Sequence, residues 1–218
     1  NVSGVNGRLR AMNGGLSGGT AASGAATTAA VQKDPSIGML LMNPFALTPG
    51  FERPSQPPGH VVERDEDVGA DVGPFMMAMI NTKNVHRSNA LLGHRWGRDF
   101  KYDEMSIVVP GAPTEFTGMG DNVPKPGEGP TAEERETGFF DILFVAIADD
   151  GHRVKVSVKG DRDPGYGSTS KMLAEAAICL VKDCADVPGG VWVPGAAMGA
   201  KLIDRLQKNA GLTFTVED

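Results

Sequence analysis

Residues 138–181 read GFFDILFVAIADDGHRVKVSVKGDRDPGYGSTSKMLAEAAICLV, and this segment predicts the core of the protein. Residues 139–148 are apolar at nearly every position, which is typical of a strand covered on both faces. Asp149-Asp150-Gly151 supplies a turn, because glycine tolerates the positive φ of a tight hairpin. The returning strand should bury its valines and present cationic and hydroxyl groups on its other face. Those two faces are Val154, Val156 and Val158 on one side, and Arg153, Lys155, Ser157 and Lys159 on the other.

A helix should begin near Ser168, directly after the turn DPGYG at residues 163–167. Its apolar positions are too many for a helix that buries only one side, so we expect it to lie beneath the sheet. Leu173 and Ile178 should then be buried. The apolar positions are Met172, Leu173, Ala176, Ala177, Ile178, Cys179, Leu180 and Val181.

The rest of the chain predicts one α+β domain over residues 1–218, with a mixed, largely antiparallel sheet of about six strands and helices packed mainly on one face. Strands are expected at 5–13, at Tyr102–Val109 and at the end of the chain, where Leu212, Phe214 and Val216 alternate with polar residues. Helices are expected from the glycine-rich turn to about Lys33, at Asp34–Met42, at Pro74–Leu92, after the capping-box pattern Thr131–Glu134, and at 196–209. Residues 43–73, including the acidic run at 63–67, and residues 110–130 read as long surface loops.

Composition excludes several classes of protein. The formal net charge of −6 argues against nucleic acid as a partner, because phosphate binding needs a basic surface. No apolar run approaches the roughly 18 residues of a membrane span. Cys179 and Cys184 would lie about 140° apart around a helix, which is poor disulfide geometry and favours reduced thiols in a cytoplasmic protein. The four histidines show no metal-binding spacing, so no metal is expected.

Two segments allow both a structural and a functional interpretation. The glycines of residues 14–20 (GGLSGGT) either let a small Ala/Thr helix pack closely on the sheet or form a ligand-facing turn at a helix N-terminus. They fit neither the GxGxxG pattern nor a P-loop. In the helix at 74–92, Phe75, Met76, Met79, Ile80 and Val85 supply an apolar face. The polar residues at 81–89 are then either an exposed face with a few capping contacts or part of a binding surface.

Four segments carry a family resemblance: GGLSGGTAASG at 14–24, PFMMAMINTKNVHRSNALLG at 74–93, GDRDPGYGSTSKMLAEAA at 160–177 and GGVWVPGAAMGAKLIDRL at 189–206. In this order they resemble the saccharopine dehydrogenase-like oxidoreductases, and within that family most closely the trans-acting enoyl reductase branch. The resemblance implies an NAD(P)-dependent oxidoreductase that reduces a C=C bond of an acyl or other apolar substrate. Members open with a dinucleotide-binding domain, and these 218 residues contain no such pattern. We therefore expect a C-terminal substrate-binding and dimerisation portion that is inactive alone and binds no dinucleotide tightly.

The resemblance also implies site residues. Asn81, Arg87, Ser88 and Asn89 would line a cleft that faces the nucleotide domain, and Arg87 or Lys159 could meet a carboxylate or phosphate group. Under the ligand-facing interpretation of the glycine-rich turn, the cofactor-facing residues are Ser17, Gly18, Gly19 and Thr20.

The final strand predicts a homodimer. Leu212 to Val216 alternates apolar and polar residues and would expose an edge if no further strand follows it, and two-fold pairing is the commonest symmetry of such contacts. A non-catalytic interaction or dimerisation module is the alternative function. It would be favoured if only a short segment preceded Asn1 in the full-length protein, whereas about 120 preceding residues with a strand, a glycine-rich turn and a helix would favour the oxidoreductase.

Overall fold

A computed structural model describes residues 2–51, 54–109 and 123–218 of the protein. They form seven strands and seven helices. The elements are β1 (Val2–Asn13), α1 (Gly18–Lys33), α2 (Pro35–Met42), β2 (Glu63–Asp65), β3 (Ala70–Pro74), α3 (Ala78–Leu91), β4 (Lys101–Ile107), α4 (Ala132–Thr137), β5 (Phe139–Ala148), β6 (Arg153–Gly160), α5 (Gly167–Lys182), α6 (Pro194–Ala197), α7 (Ala200–Asn209) and β7 (Leu212–Glu217). No helix among these residues is both long enough and apolar enough to span a membrane.

The seven strands form one open sheet in the order β2-β3-β4-β1-β5-β6-β7. Only β1 and β4 run parallel, and every other neighbouring pair is antiparallel. The predicted α+β class and the largely antiparallel sheet are therefore confirmed. The hairpin of β5 and β6 also has its predicted place, with Ile142 opposite Val158 and Phe144 opposite Val156. β7 lies at one edge of the sheet, as expected for the last strand.

The apolar core lies where α5 and α7 pack on β5, β6 and β7. Its buried centre consists of Phe140, Leu206, Ala210 and Leu212. Met172 of α5 and Leu202 of α7 pack against this centre together with side chains of the sheet. Burial of this apolar area is the main favourable term that holds the helices on the sheet.

The prediction that α5 is buried on most sides is wrong. Leu173 is 71% exposed and Ile178 is 38% exposed, whereas Cys179 is fully buried. The helix packs one side on the sheet and on α7, so its remaining apolar side chains lie on the surface. Cys184 follows the end of the helix and returns towards Cys179, which leaves the two Sγ atoms 3.9 Å apart as free thiols.

Residues 63–74 are not a surface loop, because they form the hairpin of β2 and β3 at one edge of the sheet. The turn of this hairpin contacts the outer face of the sheet, which is the face opposite α5 and α7. Asp65 accepts a hydrogen bond from Arg8 of β1 at 2.6 Å, and Asp67 forms an ion pair with Arg153 of β6 at 3.2 Å. Arg8 is 3% exposed and also pairs with Asp103 at 3.1 Å. Asp65 and Asp67 of the acidic run thus belong to a largely buried ionic layer, where an unpaired charge would be costly, whereas Glu63 and Glu66 are exposed as predicted.

The prediction of which side chains of β6 are buried is also corrected on this face. Ser157, which was assigned to the polar face, is 1% exposed, while Val154 on the opposite face is 40% exposed. The hydroxyl of Ser157 lies beside Glu217 of this ionic layer, whereas Val154 lies near the turn that joins β5 and β6. Alternation alone therefore identified the two faces correctly but not which positions along them are covered.

The predicted start and buried side of α3 are also wrong. It begins at Ala78 rather than at Pro74, which ends β3, and its predicted apolar face is largely exposed at Met79 and Ile80. Its polar half is buried instead. His86 packs on the ring of Phe45 at a centroid distance of 4.3 Å, and burial lowers the pKa of His86 to about 4. The polar groups of this half are buried because each has a partner within the protein.

Several local predictions are confirmed. Thr131 and Glu134 form the capping box of α4, and Asp34 caps α2 by accepting a hydrogen bond from the Ser36 N–H. The predicted C-terminal helix is two helices, because Gly199 adopts a positive φ of 50° between them. Of the loop predicted at 110–130, residues 110–122 lie outside the described residues, and residues 123–130 are in no helix or strand.

Candidate functional site

Three turns that precede helices meet at one end of the sheet. They are residues 14–17 before α1, residues 125–130 before α4, and residues 163–166 before α5. Gly18 donates its N–H to the carbonyl of Glu128 at 2.9 Å, and Gly15 donates to the carboxylate of Asp163 at 3.0 Å. The glycine-rich turn is therefore fastened to both other turns by its backbone.

Asp163 is the buried centre of this junction. Its carboxylate has no exposed surface and accepts hydrogen bonds from the N–H groups of Gly15, Tyr166 and Gly167. Burial by itself would raise the pKa of Asp163, but the backbone donors outweigh it and lower the pKa below its ordinary value. The carboxylate thus stays charged and fixes the start of α5, where a negative group is favoured.

Tyr166 connects the start of α5 with the start of α1. Its hydroxyl accepts the N–H of Ser17 at 2.9 Å and donates to Ser17 Oγ at 2.7 Å. Thr20 Oγ1 lies 2.7 Å from the same phenol oxygen. Burial would raise the pKa of Tyr166, but the hydroxyls of Ser17 and Thr20 and the Ser17 N–H outweigh it and lower the pKa. The phenol is held in a cluster that favours its ionised form.

A cavity of about 890 Å³ opens beside this cluster, and we call it the Tyr166 cavity. Tyr166 and Ser17 lie on one wall, and Leu173 and Pro130 supply apolar surface. Arg135 places a guanidinium in the lining. Further hydroxyl and carboxylate groups come from Thr169, Ser170 and Glu128. The cavity therefore combines apolar walls with a few polar groups, which is typical of sites for small molecules.

Of the four predicted cofactor-facing residues, one lines this cavity and a second contacts its lining. Ser17 lines it, and Thr20 bonds the phenol that also lines it. Gly18 is packed so tightly that an added Cβ would lie 1.9 Å from the carbonyl oxygen of Lys125. Gly18 is thus closely packed against residues 125–130 rather than between a helix and the sheet, whereas a Cβ at Gly19 would meet only Ser17 Oγ at 3.6 Å.

The groups at the start of α1 could contact only part of a dinucleotide cofactor. The N–H groups of Gly18 and Thr20 already have acceptors, Glu128 O and Ser17 Oγ. A pyrophosphate held by free backbone amides, as in the GxGxxG turn, does not fit here. Gly19 and the Thr20 hydroxyl are exposed and fit contact with the outer part of a cofactor held by another domain.

The predicted substrate-binding residues of α3 lie elsewhere. Arg87 lines a second cavity of about 290 Å³, the Arg87 cavity, together with His94 and Arg98. Its guanidinium donates to the carbonyl groups of Leu47 and Val191, each at 3.3 Å. This cavity collects two guanidinium groups, one of which lies over the ring of Phe51 at 4.9 Å from its centre.

The other predicted substrate-binding residues bond to neighbouring protein groups. Asn81 donates to Glu104, Ser88 donates to the carbonyl of Asn84, and Asn89 donates to the carbonyl of Gly97. Lys159 pairs with Asp141 at 3.2 Å on the outer face of the sheet. Of the predicted site residues, Ser17 thus lines the Tyr166 cavity and Arg87 lines the Arg87 cavity, whereas Lys159 lies at neither.

Sequence reasoning missed Tyr166 and Arg135. Tyr166 lies in the DPGYG turn between two glycines and is one of two tyrosines in the chain. A tyrosine flanked by glycines at a helix start is a usable signal for an accessible phenol. Its partners Ser17 and Thr20, however, are 149 and 146 residues away in sequence, so local patterns do not reveal the cluster.

Comparison with known proteins identifies relatives over most of the chain. A Mycobacterium tuberculosis protein named as a trans-acting enoyl reductase is 34% identical over 233 residues, which cover 91% of this chain and 56% of the relative. The trans-acting enoyl reductases of Mycobacterium ulcerans and Mycobacterium bovis are 29% and 28% identical and cover 87% and 88% of this chain. Those alignments span 54% of each relative. No family model matches the chain, and no solved structure matches it.

These relatives support the resemblance of the four segments to trans-acting enoyl reductases. The chain spans about half the length of the curated relatives that it matches. The protein is related in sequence to proteins named trans-acting enoyl reductase.

Proposed function

We propose that this chain is the substrate-binding portion of an NAD(P)-dependent oxidoreductase that reduces the C=C bond of an acyl substrate, with the acyl group in the Tyr166 cavity. The observation that carries the proposal is the lining of that cavity. Leu173 and Pro130 offer apolar contact, while Ser17 and Tyr166 offer hydroxyl groups. The cavity volume of about 890 Å³ suits a small-molecule substrate, for which sites of roughly 300–1,000 Å³ are usual.

The nicotinamide cofactor belongs to a domain outside these 218 residues in this proposal. When bound, it supplies a hydride to the substrate. This chain would contribute the facing wall through Gly19 and the hydroxyl groups of Ser17 and Thr20, with Gly18 holding the turn in place. Calorimetric titration of this chain alone with NADH or NADPH should accordingly show no binding, and a micromolar site would contradict the division of roles.

Arg87 is proposed to meet an anionic group of the substrate or cofactor. The Arg87 cavity supports this role because Arg87 and Arg98 both line it, and a pair of guanidinium groups favours a phosphate or carboxylate. Lys159 was the other cation proposed for such a group. Its ion pair with Asp141 already uses its charge, so we assign the anionic group to Arg87.

The test is turnover of the full-length protein with reduced nicotinamide cofactor and an α,β-unsaturated acyl thioester. Wild-type protein should oxidise the cofactor, measured by absorbance, and yield the saturated thioester. Leu173→Asp should raise KM about 10-fold, because a charge replaces apolar contact in the cavity. Val181→Asp is the matched control, since Val181 is equally exposed on the same helix but does not line the cavity.

A dimerisation module without catalysis is the second candidate function, and the exposed edge strand β7 favours it. No cofactor oxidation by the full-length protein with any unsaturated thioester, combined with a stable dimer, would establish that candidate and remove the oxidoreductase.

A further inference from the structure

The phenol of Tyr166 is the acidic group best placed to act on a substrate in the Tyr166 cavity. It lines the cavity, and its oxygen is fixed by three contacts with Ser17 and Thr20 at 2.7 to 2.9 Å. We propose that Tyr166 is the proton donor of the reduction and that it protonates the α-carbon of the unsaturated acyl group. This inference rests on the proposed function and names the group that the function leaves unassigned.

The reduction needs such a donor for its atoms to balance. The hydride from a reduced nicotinamide adds to the β-carbon, the C=C π bond breaks, and its electron pair is left on the α-carbon and the thioester carbonyl. A proton from the Tyr166 hydroxyl then forms the α-carbon C–H bond. The products are the saturated thioester, the oxidised cofactor and a phenolate, so the hydride has supplied one hydrogen with two electrons and Tyr166 has supplied the second hydrogen as a proton.

The other groups of the cavity are less suited to this step. The guanidinium of Arg135 already donates to the carbonyl of Pro130, and the hydroxyl groups of Thr169 and Ser170 are far too weakly acidic. The side chain of Glu128 already accepts the Lys125 N–H at 2.9 Å. A phenol with ordinary pKa of about 10 is protonated at neutral pH and can still release its proton to a strongly basic enolate.

The surroundings of Tyr166 also stabilise the phenolate that the step would leave. The Ser17 N–H and the two hydroxyl groups can all donate to the phenolate, and the N-terminus of the 16-residue helix α1 favours a negative charge nearby. Among charged groups, Asp163 opposes ionisation of the phenol. The hydrogen bonds outweigh Asp163, so the pKa of Tyr166 is lowered.

Thr20 provides a route for the proton to return. Its Oγ1 lies 2.7 Å from the phenol oxygen, and the residue is exposed to water. A proton from solvent can therefore pass through the Thr20 hydroxyl to the phenolate after each turnover. Ser17 is not needed for this path, because its side chain also caps α1 by accepting the Thr20 N–H at 3.2 Å.

The first test is spectroscopic and needs no cofactor. The chain has two tyrosines, and burial together with Glu104 raises the pKa of Tyr102 far above its ordinary value. Ultraviolet titration of the protein should therefore show one phenol that ionises below about pH 10, the ordinary value. Tyr166→Phe should remove that transition, and Tyr102→Phe should retain it. Ionisation of Tyr166 at or above the ordinary pH would overturn the inference.

The second test measures turnover of the full-length protein. Tyr166→Phe should lower kcat by at least about 100-fold with little change in KM, the usual contribution of a general acid. In wild-type protein kcat should fall as the pH rises through the pKa of Tyr166, because the donor must carry its proton. Thr20→Val should move this fall to higher pH by removing a stabilising donor, which tests the inference even if Tyr166→Phe folds poorly.

The outcomes separate this inference from the proposed function. Full turnover by Tyr166→Phe would overturn the proton-donor role while the oxidoreductase assignment stands. Absence of turnover in the wild-type protein with every unsaturated thioester would overturn both. A kcat that does not change with pH in wild-type protein and in Thr20→Val would also count against Tyr166.

Discussion

Asp163 shows how one buried carboxylate can hold a whole junction. It accepts three backbone N–H groups from two separate turns and has no exposed surface. Those donors would be left without a partner if the carboxylate were removed, and protonation would weaken their hydrogen bonds, because bonds to a charged acceptor are stronger. An unsatisfied buried donor costs about 1–3 kcal/mol. The position of Tyr166 next to α5 therefore depends on the charge of Asp163.

We predict that Asp163→Asn lowers the free energy of unfolding by about 2 kcal/mol, because an amide cannot accept at both of its polar atoms. The pKa of Asp163 is lowered in the folded protein, so its stabilisation is present above the unfolded value of about 3.9 and is lost as the pH falls through the lower folded-state value. Denaturant unfolding between neutral and acid pH measures both effects. Asp204→Asn, at an exposed site on α7, is the control. Equal stability of the two variants would contradict the role of Asp163.

Arg87→Ala in the full-length protein should lower kcat/KM by about 10- to 150-fold, which corresponds to loss of one charge-assisted contact of about 1.5–3 kcal/mol. Circular dichroism should show an intact fold. Arg87 also donates to the carbonyls of Leu47 and Val191. If the variant loses thermal stability while turnover per folded molecule is kept, Arg87 only fastens α3 to those loops.

Some of the site at this scale could be predicted from sequence. Ser17 and its glycines were recognisable because glycines and a hydroxyl before a helix have a local signature. Tyr166 could not be recognised in the same way, since its partners belong to a turn that approaches it only in the folded chain. The burial of the polar half of α3 could not be predicted for the same reason, because His86 and Asn89 form their hydrogen bonds with residues of other segments.

At the scale of elements, the hairpin of β5 and β6 had the clearest sequence signal. The ends of its strands could be predicted from the apolar run and the glycine turn, because these two signals depend only on neighbouring residues in the sequence. The exposure of α5 did not follow, since the count of apolar residues does not tell which side of a helix another element will cover. The hairpin of β2 and β3 was also missed, because its strands are short and are held by ion pairs to distant strands.

Leu206→Ala should cost about 2–5 kcal/mol of unfolding free energy, because Leu206 lies in the buried centre of the core and truncation leaves a cavity. Leu173→Ala should change stability by less than about 0.5 kcal/mol, since Leu173 is mostly exposed. Chemical denaturation of the two variants compares the same substitution on adjacent helices. A large loss for Leu173→Ala would mean that a further part of the protein covers α5.

For the whole molecule, the open edge at β7 leads to the expectation of a homodimer. Among the residues that the structure describes, β7 pairs only with β6, and Val216 near its end is 71% exposed. An uncovered edge strand with apolar side chains is a ready surface for pairing with a second copy.

Light scattering should therefore give twice the chain mass of 22.9 kDa. Val216→Lys should shift the equilibrium to the monomer, because a charge on an edge strand opposes pairing. Val181→Lys introduces the same charge at an exposed site of α5 and should leave the dimer intact. A mass of one chain at all concentrations would remove the dimer from the proposal.

The position of β1 in the sheet has a consequence for synthesis of the chain. Its two partners, β4 and β5, begin at Lys101 and Phe139, so β1 is made long before either of them. At about 5–20 residues per second, the ribosome would leave β1 without partners for several seconds. Arg8 and Arg10 would be unpaired cations during that time, because their carboxylate partners include Asp103 and Glu217. The arginines that close the ionic layer in the finished protein are thus also placed to keep the nascent strand from aggregating while it waits.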